Sequence, residues 1–136
     1  MRSVSPGFQV AKALAAHVGT AGLMTATNVD ARGYDRVKYV IQLGAATNTA
    51  TFDCKMGESA TNGGSYANVA ASALTQVIDT GGGQMLIIDV PVNQAKPHQK
   101  LYCVTGTAAF VNAAIAILYG GTHAVPVQLA SQEIVV

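Results

Sequence analysis

Between Tyr34 and Ser59 the chain alternates apolar and polar side chains with a period of two. In YDRVKYVIQLG the residues Val37, Tyr39, Ile41 and Leu43 share one side, and Lys38, Val40 and Gln42 take the other. In ATFDCKM the set Ala50, Phe52, Cys54 and Met56 opposes Thr51, Asp53 and Lys55. Only an extended strand places residues i and i+2 on a common face, so both segments are predicted strands with one side buried. The intervening GAATNT carries the turn formers Gly44 and Asn48, which predicts a hairpin. In that hairpin Ile41 meets Phe52, Tyr39 meets Cys54 and Val37 meets Met56. The outer face then sets Lys38 opposite Lys55, a like-charge pair that needs relief from Asp53 or from an acidic group on a neighbouring chain.

The same reading extends downstream. Leu74–Ile78 is a short apolar stretch, Gly81–Gly83 is predicted to be a hairpin turn, and QMLIIDVPV resumes as strand. Met85–Ile88 is apolar on both faces, as in a strand covered on both sides by a second sheet or by a neighbouring subunit. Pro91 and Pro97 bracket a polar connection, QKLYCVTG forms another strand, and Ala109–Leu118 forms the last. In that last run Val111, Ile115 and Ile117 favour strand, although Ala113, Ala114 and Ala116 also suit a helix. No long helical period occurs. The expectation is an all-β chain: one antiparallel β-sandwich or jelly roll of about eight strands over residues 1–136. The ends differ from the middle. Residues 1–21 form an arm without a clean period, in which AKALAAHV suits helix or strand, and residues 122–136 form an apolar tail whose single charge is Glu133. A free tail of that composition invites aggregation, so it should dock on its own sheet or on another chain.

Charge narrows the functional classes. Half of the 136 residues are hydrophobic and 11% are charged, against roughly 25% in an ordinary soluble domain. So few ions cannot coat the surface of a solitary domain, and partner subunits are expected to cover part of it. The longest apolar run, Ala108–Tyr119, is broken by Asn112 and falls short of the ~18–20 residues that span a bilayer, so no membrane partner is expected. Gln9, Lys12 and His17 interrupt the N-terminal segment after Arg2, which disfavours a secretory leader. A net charge of +1, no Trp and 6% aromatic residues offer little to nucleic acid.

The residues that carry chemistry are scattered. Cys54 and Cys103 lie far apart in sequence without a CxxC. Buried free thiols are the ordinary reading and a disulfide between strands is the alternative, which requires Cα atoms within about 7 Å. His17, His98 and His123 stand in separate regions without a ligand at metal spacing, so no metal is expected. Asp30 and Asp35 flank Arg32-Gly33, which suits local ion pairs or Asx turns better than a calcium loop. Asp79 and Asp89 would be the nearest thing to a glycosidase pair, but the stacking aromatics of a sugar cleft are missing. Gly63-Gly64 lacks the Lys and Ser or Thr of a phosphate loop. The expectation is a protein that is not an enzyme, without a cofactor or small-molecule substrate.

The order VDARGYDRVKYVIQLGAAT, TFDCKMGESATNGGSYANVAASAL, a strand, KPHQKLYCVTGT and a last strand resembles small virion proteins of tailed bacteriophages. The matching features are Gly33-Tyr34-Asp35, Leu43-Gly44-Ala45, Glu58-Ser59 and Tyr66, over residues 29–120. A departure is QKLYCV, where a more basic strand is expected and Lys100 is the only charge. The resemblance implies a head decoration or cement protein, a jelly roll on the capsid exterior that clamps major capsid subunits, often as a homodimer, and that is made in the bacterial host cytoplasm. The candidate subunit interface is placed at the ends, at Phe8, Val10, Leu14, Leu129, Ile134, Val135 and Val136, with edge strands of the same chain as the alternative. Two other readings remain: a carbohydrate- or receptor-binding module using Tyr34 and Tyr66, or a head-completion or tail component.

Overall fold

All eight apolar positions of the two alternating segments are buried: Val37, Tyr39, Ile41, Leu43, Ala50, Phe52, Cys54 and Met56 are each 3% exposed or less. They fill the space between two antiparallel sheets. The computed structural model describes residues 8–19, 22–24 and 26–121. In chain order the strands are β1 (Phe8–Gly19), β2 (Gly22–Leu23), β3 (Val29–Asp30), β4 (Tyr34–Ala46), β5 (Thr51–Ser59), β6 (Ala67–Asn68), β7 (Val77–Ile78), β8 (Met85–Pro91), β9 (His98–Gly106) and β10 (Phe110–Gly121). A 3₁₀ turn, Asp79–Gly81, precedes β8.

One sheet runs β1-β10-β4-β8. In the other, β9 and β5 are central, β2 and β3 share the far edge of β9, and β6 and β7 share the far edge of β5. If each sharing pair counts as one interrupted strand, the described residues form eight strands, the number expected. Apart from the step from β5 to β6, consecutive strands then lie in opposite sheets, which is a jelly roll.

That alternation of layers corrects the predicted hairpin. β4 is hydrogen-bonded to β10 and β8, and β5 to β9, so β4 and β5 face each other across the core instead of pairing. A hairpin would leave both apolar faces on one side, in need of a further layer; opposed sheets bury each face against the other. Lys38 therefore never meets Lys55: Lys38 lies between Ile117 and Asp89, and Lys55 faces Tyr102. The triple glycine is likewise a crossing between sheets and not a hairpin turn. Here the backbone passes close to the end of β4: Gly83 N donates to Gly44 O at 3.3 Å, and a Cβ on Gly82 would lie 3.0 Å from that same oxygen.

The N-terminal stretch Phe8–Gly19 is not a free arm. It pairs along β10 as an edge strand, with register shifts between Lys12 and Leu14 and between Leu14 and His17. The first shift turns Ala13 and Leu14 both inward, and Leu14 bridges Ala26 at the corner between the sheets. The tail 122–136 lies outside the described residues. In β10 the small residues Ala114 and Ala116 face inward, and the bulk comes from Tyr39, Phe52 and Phe110, with the two Phe rings 6.0 Å apart. Cys54 and Cys103 are register partners with Cα atoms 4.1 Å apart and form a disulfide, which replaces the expected free thiols.

A long-range polar contact joins side chains of opposite sheets within the core. Tyr39 Oη donates to Gln99 Oε1 at 3.5 Å with both residues fully buried, and Gln99 Nε2 has no partner among the described residues. Burial raises the Tyr39 phenol far above its ordinary value, so it stays neutral. Gln99→Leu alone strands the Tyr39 hydroxyl and should cost about 1–3 kcal/mol, whereas Tyr39→Phe with Gln99→Leu removes both polar groups and should recover most of that loss. Urea unfolding of the two single variants and the double variant measures the coupling. Simple additivity would rule the contact out as a coupled pair.

Candidate interaction surface

The strand period that sends one set of side chains inward sends the alternate set outward, and on the four-stranded sheet this outer set is unusually apolar. Across the sheet the register aligns Lys12, Ile115, Val40 and Ile87 in one row, with Ala113, Gln42 and Met85 beyond it. Ile115 is 43% exposed, Ile87 51% and Met85 61%. Beside them, Lys12, Leu14, Val40, Ala113 and Ile115 line a shallow depression of about 310 Å³.

The other end of this face is ionic. The register row Val10, Ile117, Lys38 and Asp89 lies next to the row Phe8, Tyr119, Arg36 and Pro91. Asp89 is the hub. It accepts from Tyr119 Oη at 2.8 and 2.7 Å and from Arg36 Nε at 3.0 Å, and Lys38 Nζ lies 3.5 Å away. Lys38 also sits 5.6 Å from the centre of the Tyr119 ring. Partial burial of Asp89 opposes its ionisation, but the Tyr119 and Arg36 hydrogen bonds, with the charges of Arg36 and Lys38, outweigh that and hold the carboxyl below its usual value.

The six-stranded sheet has its own exposed apolar spots. Leu23 is 64% exposed and Val104, its register partner, 38%. With Leu74, Tyr102, Lys55 and Asp53 they border a groove of about 640 Å³. Further along, Tyr66 and Tyr102 meet edge to face with ring centres 6.3 Å apart, above Gly57, where a Cβ would lie 2.6 Å from the Tyr102 ring. The Tyr66 hydroxyl donates to Asn28 Oδ1 at 2.8 Å.

The sandwich shares its fold with a particle-forming viral protein. VP2 of infectious bursal disease virus, in its subviral particle, matches 89% of this chain at a TM-score of 0.56 and 14% identity, over 34% of the VP2 chain. The T=1 particles derived from a VP2 mutant give 0.55 and 15% identity over 89% of this chain and 33% of that one. The Gx strain of the virus gives 0.51 and 13% over 91% and 36%. The chain thus spans about a third of the length of these neighbours. No protein-family model matches the chain, and no curated protein matches it.

On this jelly roll the interface residues expected from sequence are dispersed. Phe8 is 38% exposed at the ionic end and Val10 is half-buried beside Ile117. Leu14 is 3% exposed and belongs to the core, because the β1 bulge turns it inward; it is withdrawn from the interface. Leu129, Ile134, Val135 and Val136 lie outside the described residues. Outside that expected set, the outer face of the four-stranded sheet carries Val40, Ile87, Met85 and Ile115, and the apolar run Met85–Ile88, legible in the sequence as two-sided, supplies two of the four. Tyr34 is 6% exposed, so it is not available to stack on a sugar. Asp30 binds Arg32 through its side chain and accepts from Arg32 N at 3.2 Å, the local Asx turn and ion pair anticipated for it. Asp79 accepts from Thr49 N at 2.7 Å and Thr80 N at 2.8 Å, while Asp89 sits in its own cluster on β8, and each is engaged by local partners. Among the described residues no group of three His, Cys, Asp or Glu is placed to hold a metal.

Because the Asp89 carboxyl is held below its unfolded value, its contribution is present above about pH 4 and lost as pH falls through the lower folded value. Asp89→Asn should therefore melt below the parent at pH 7, and the gap should close as pH falls below about 4. Melting curves that stay parallel across this range would show that Asp89 does not titrate against the fold.

Proposed function

We propose that this protein is a structural component of a virus particle that acts by binding other protein subunits, and more finely that it cements the outside of a tailed-phage head by bridging major capsid subunits. The observation that carries the reading is the outer face of the four-stranded sheet, where exposed Ile87, Met85 and Ile115 join half-buried Val40 in a contiguous apolar area rimmed by Lys12 and the Arg36–Lys38–Asp89–Tyr119 cluster. An apolar centre with a polar rim is the anatomy of a protein interface.

Three further points support it. The fold is shared with a virus protein that forms particles. Exposed apolar residues occur on both outer faces, at Ile87 and Ile115 on one and at Leu23 and Val104 on the other, as a bridging subunit needs. The Cys54–Cys103 disulfide suits an oxidising exterior such as a particle surface. The resemblance to phage cement proteins, including that of a Bordetella podovirus, names the shell and the homodimer. Such a subunit stabilises a shell by mass action, since it binds the assembled lattice better than free subunits.

Co-sedimentation with purified capsids tests the reading. Ile87→Glu with Ile115→Glu should weaken shell binding roughly thirtyfold, as expected for a loss of ~2 kcal/mol at an interface centre, with the melting temperature kept near that of the parent. Shell binding at parental strength by this folded variant, or absence of the protein from purified particles, would overturn the proposal.

A further inference from the structure

The loop of residues 60–66, between β5 and β6, carries a dipeptide that neither the core nor the apolar face uses, Asn62-Gly63. The chain holds six asparagines, and Asn62 is the one followed by glycine. An asparagine Cγ lies within ring-closing reach of the next residue's backbone nitrogen, and a five-membered ring forms when that nitrogen can approach it. A side chain on the following residue crowds the approach, and glycine has none. Asn62 and Gly63 are both exposed, and the Asn62 side chain has no hydrogen-bond partner among the described residues. The turn is closed by a backbone bond from Gly64 N to Thr61 O at 3.2 Å. Gly63 N, the nitrogen that would react, donates to Tyr66 Oη at a long 3.4 Å. Gly63 takes a φ of +76°, and a Cβ placed there would meet nothing within 4 Å, so the reacting backbone is open to solvent. An exposed turn with so few contacts opens at little cost.

The other asparagines are held in place. Thr49 N, which follows Asn48, donates to Asp79 Oδ2 at 2.7 Å, and Val69 N, which follows Asn68, donates to Met56 O at 3.0 Å. Asn28 is bonded at both ends of its amide, through Nδ2 to His98 Nδ1 and through Oδ1 to the Tyr66 hydroxyl. Asn93 is bonded likewise, through Nδ2 to Glu58 Oε1 and through Oδ1 to Ala95 N. Asn112 is 1% exposed and lies within β10. A bonded amide or a bonded backbone nitrogen must first be freed before the ring can close, and residue 62 carries neither restraint to the same degree.

We propose that Asn62 is a site of spontaneous deamidation in the folded protein, giving aspartate and isoaspartate. Gly63 N gives its proton to hydroxide and bonds to Asn62 Cγ; the Cγ–Nδ2 bond breaks, ammonia leaves and a succinimide closes. Water then adds to one of the two ring carbonyls and breaks its bond to Gly63 N. Opening at Cγ gives aspartate, and opening at the backbone carbonyl gives isoaspartate, with the main chain running through the side chain. One water is consumed and one ammonia released, and nothing is oxidised or reduced. Either product adds a carboxylate and takes the formal net charge from +1 to zero, and a chain without net charge associates more readily. This inference is independent of the particle role, because β5 and β6 belong to the six-stranded sheet and not to the apolar face. The test is to age the purified full-length protein in mildly alkaline buffer and map its peptides by mass spectrometry, with isoaspartate scored by methylation with an isoaspartyl methyltransferase. Asn62 should convert before any other asparagine and within about tenfold of its rate in the urea-unfolded chain. Asn62→Gln keeps an amide but must close a larger ring, so it should lose the acidic species on ion exchange while melting with the parent. Asn62 still intact in the folded protein when the unfolded chain has converted, earlier conversion at another asparagine, or acidic species that persist in Asn62→Gln would overturn the proposal.

Discussion

The space between the two sheets is filled by side chains from strands that follow one another in the chain but lie in opposite layers. Val37, Tyr39 and Ile41 of β4 are buried with Phe52, Cys54 and Met56 of the next long strand, so closing one connection brings two apolar faces together. Each large side chain taken fully out of water contributes about 1.5–3 kcal/mol, and this opposes the entropy of closing connections that arch from sheet to sheet. The outer faces follow from the same winding. No described strand covers the outside of the four-stranded sheet, so its character is set by its outward side chains, among them the exposed Ile87, Met85 and Ile115.

Few charges remain to counter that apolar exposure, and several of those present are satisfied within the chain. Arg32 is bound to Asp30, Lys96 to Glu58 at 3.7 Å, and Arg36 and Lys38 to Asp89. These pairs are mostly exposed and contribute little to stability singly. Their larger effect is on the surface: a carboxylate hydrogen-bonded by Tyr119 and Arg36 is a fixed polar landmark at one end of a sheet whose other end is hydrocarbon. Fixed polar groups beside an apolar patch give orientation and specificity to a contact whose affinity comes from burial.

How far the sequence reveals this arrangement depends on which physical signal is local. Alternation with period two sets which way Val37 or Phe52 points, and every one of those inward positions is buried as expected. It does not set which strand becomes the hydrogen-bonded neighbour. The turn signal at Gly44–Asn48 therefore suggested a hairpin, whereas the chain crosses between sheets there. Leu14 shows the same limit, since its inward turn depends on a bulge created by pairing with distant Ala114 and Ala26. Met85–Ile88 was legible as apolar on both faces, yet its place at a sheet edge, beside Val40 and Ile115, comes from topology that no short window of residues contains.

The two sheets also differ in how they resist fraying, and this bears on docking. The four-stranded sheet is built of long strands, from seven residues in β8 to thirteen in β4, paired along most of their length. In the other sheet the flanking strands β2, β3, β6 and β7 have two residues each, which leaves β5 and β9 as the one long pair among the described residues. Short flanking strands open easily. The Cys54–Cys103 disulfide joins that central pair near its middle and limits the chain's freedom when the flanks fray. Behind the apolar face of the four-stranded sheet there is thus a backing layer tied covalently at its centre, and a face held rigid before a partner arrives loses less entropy when that partner binds.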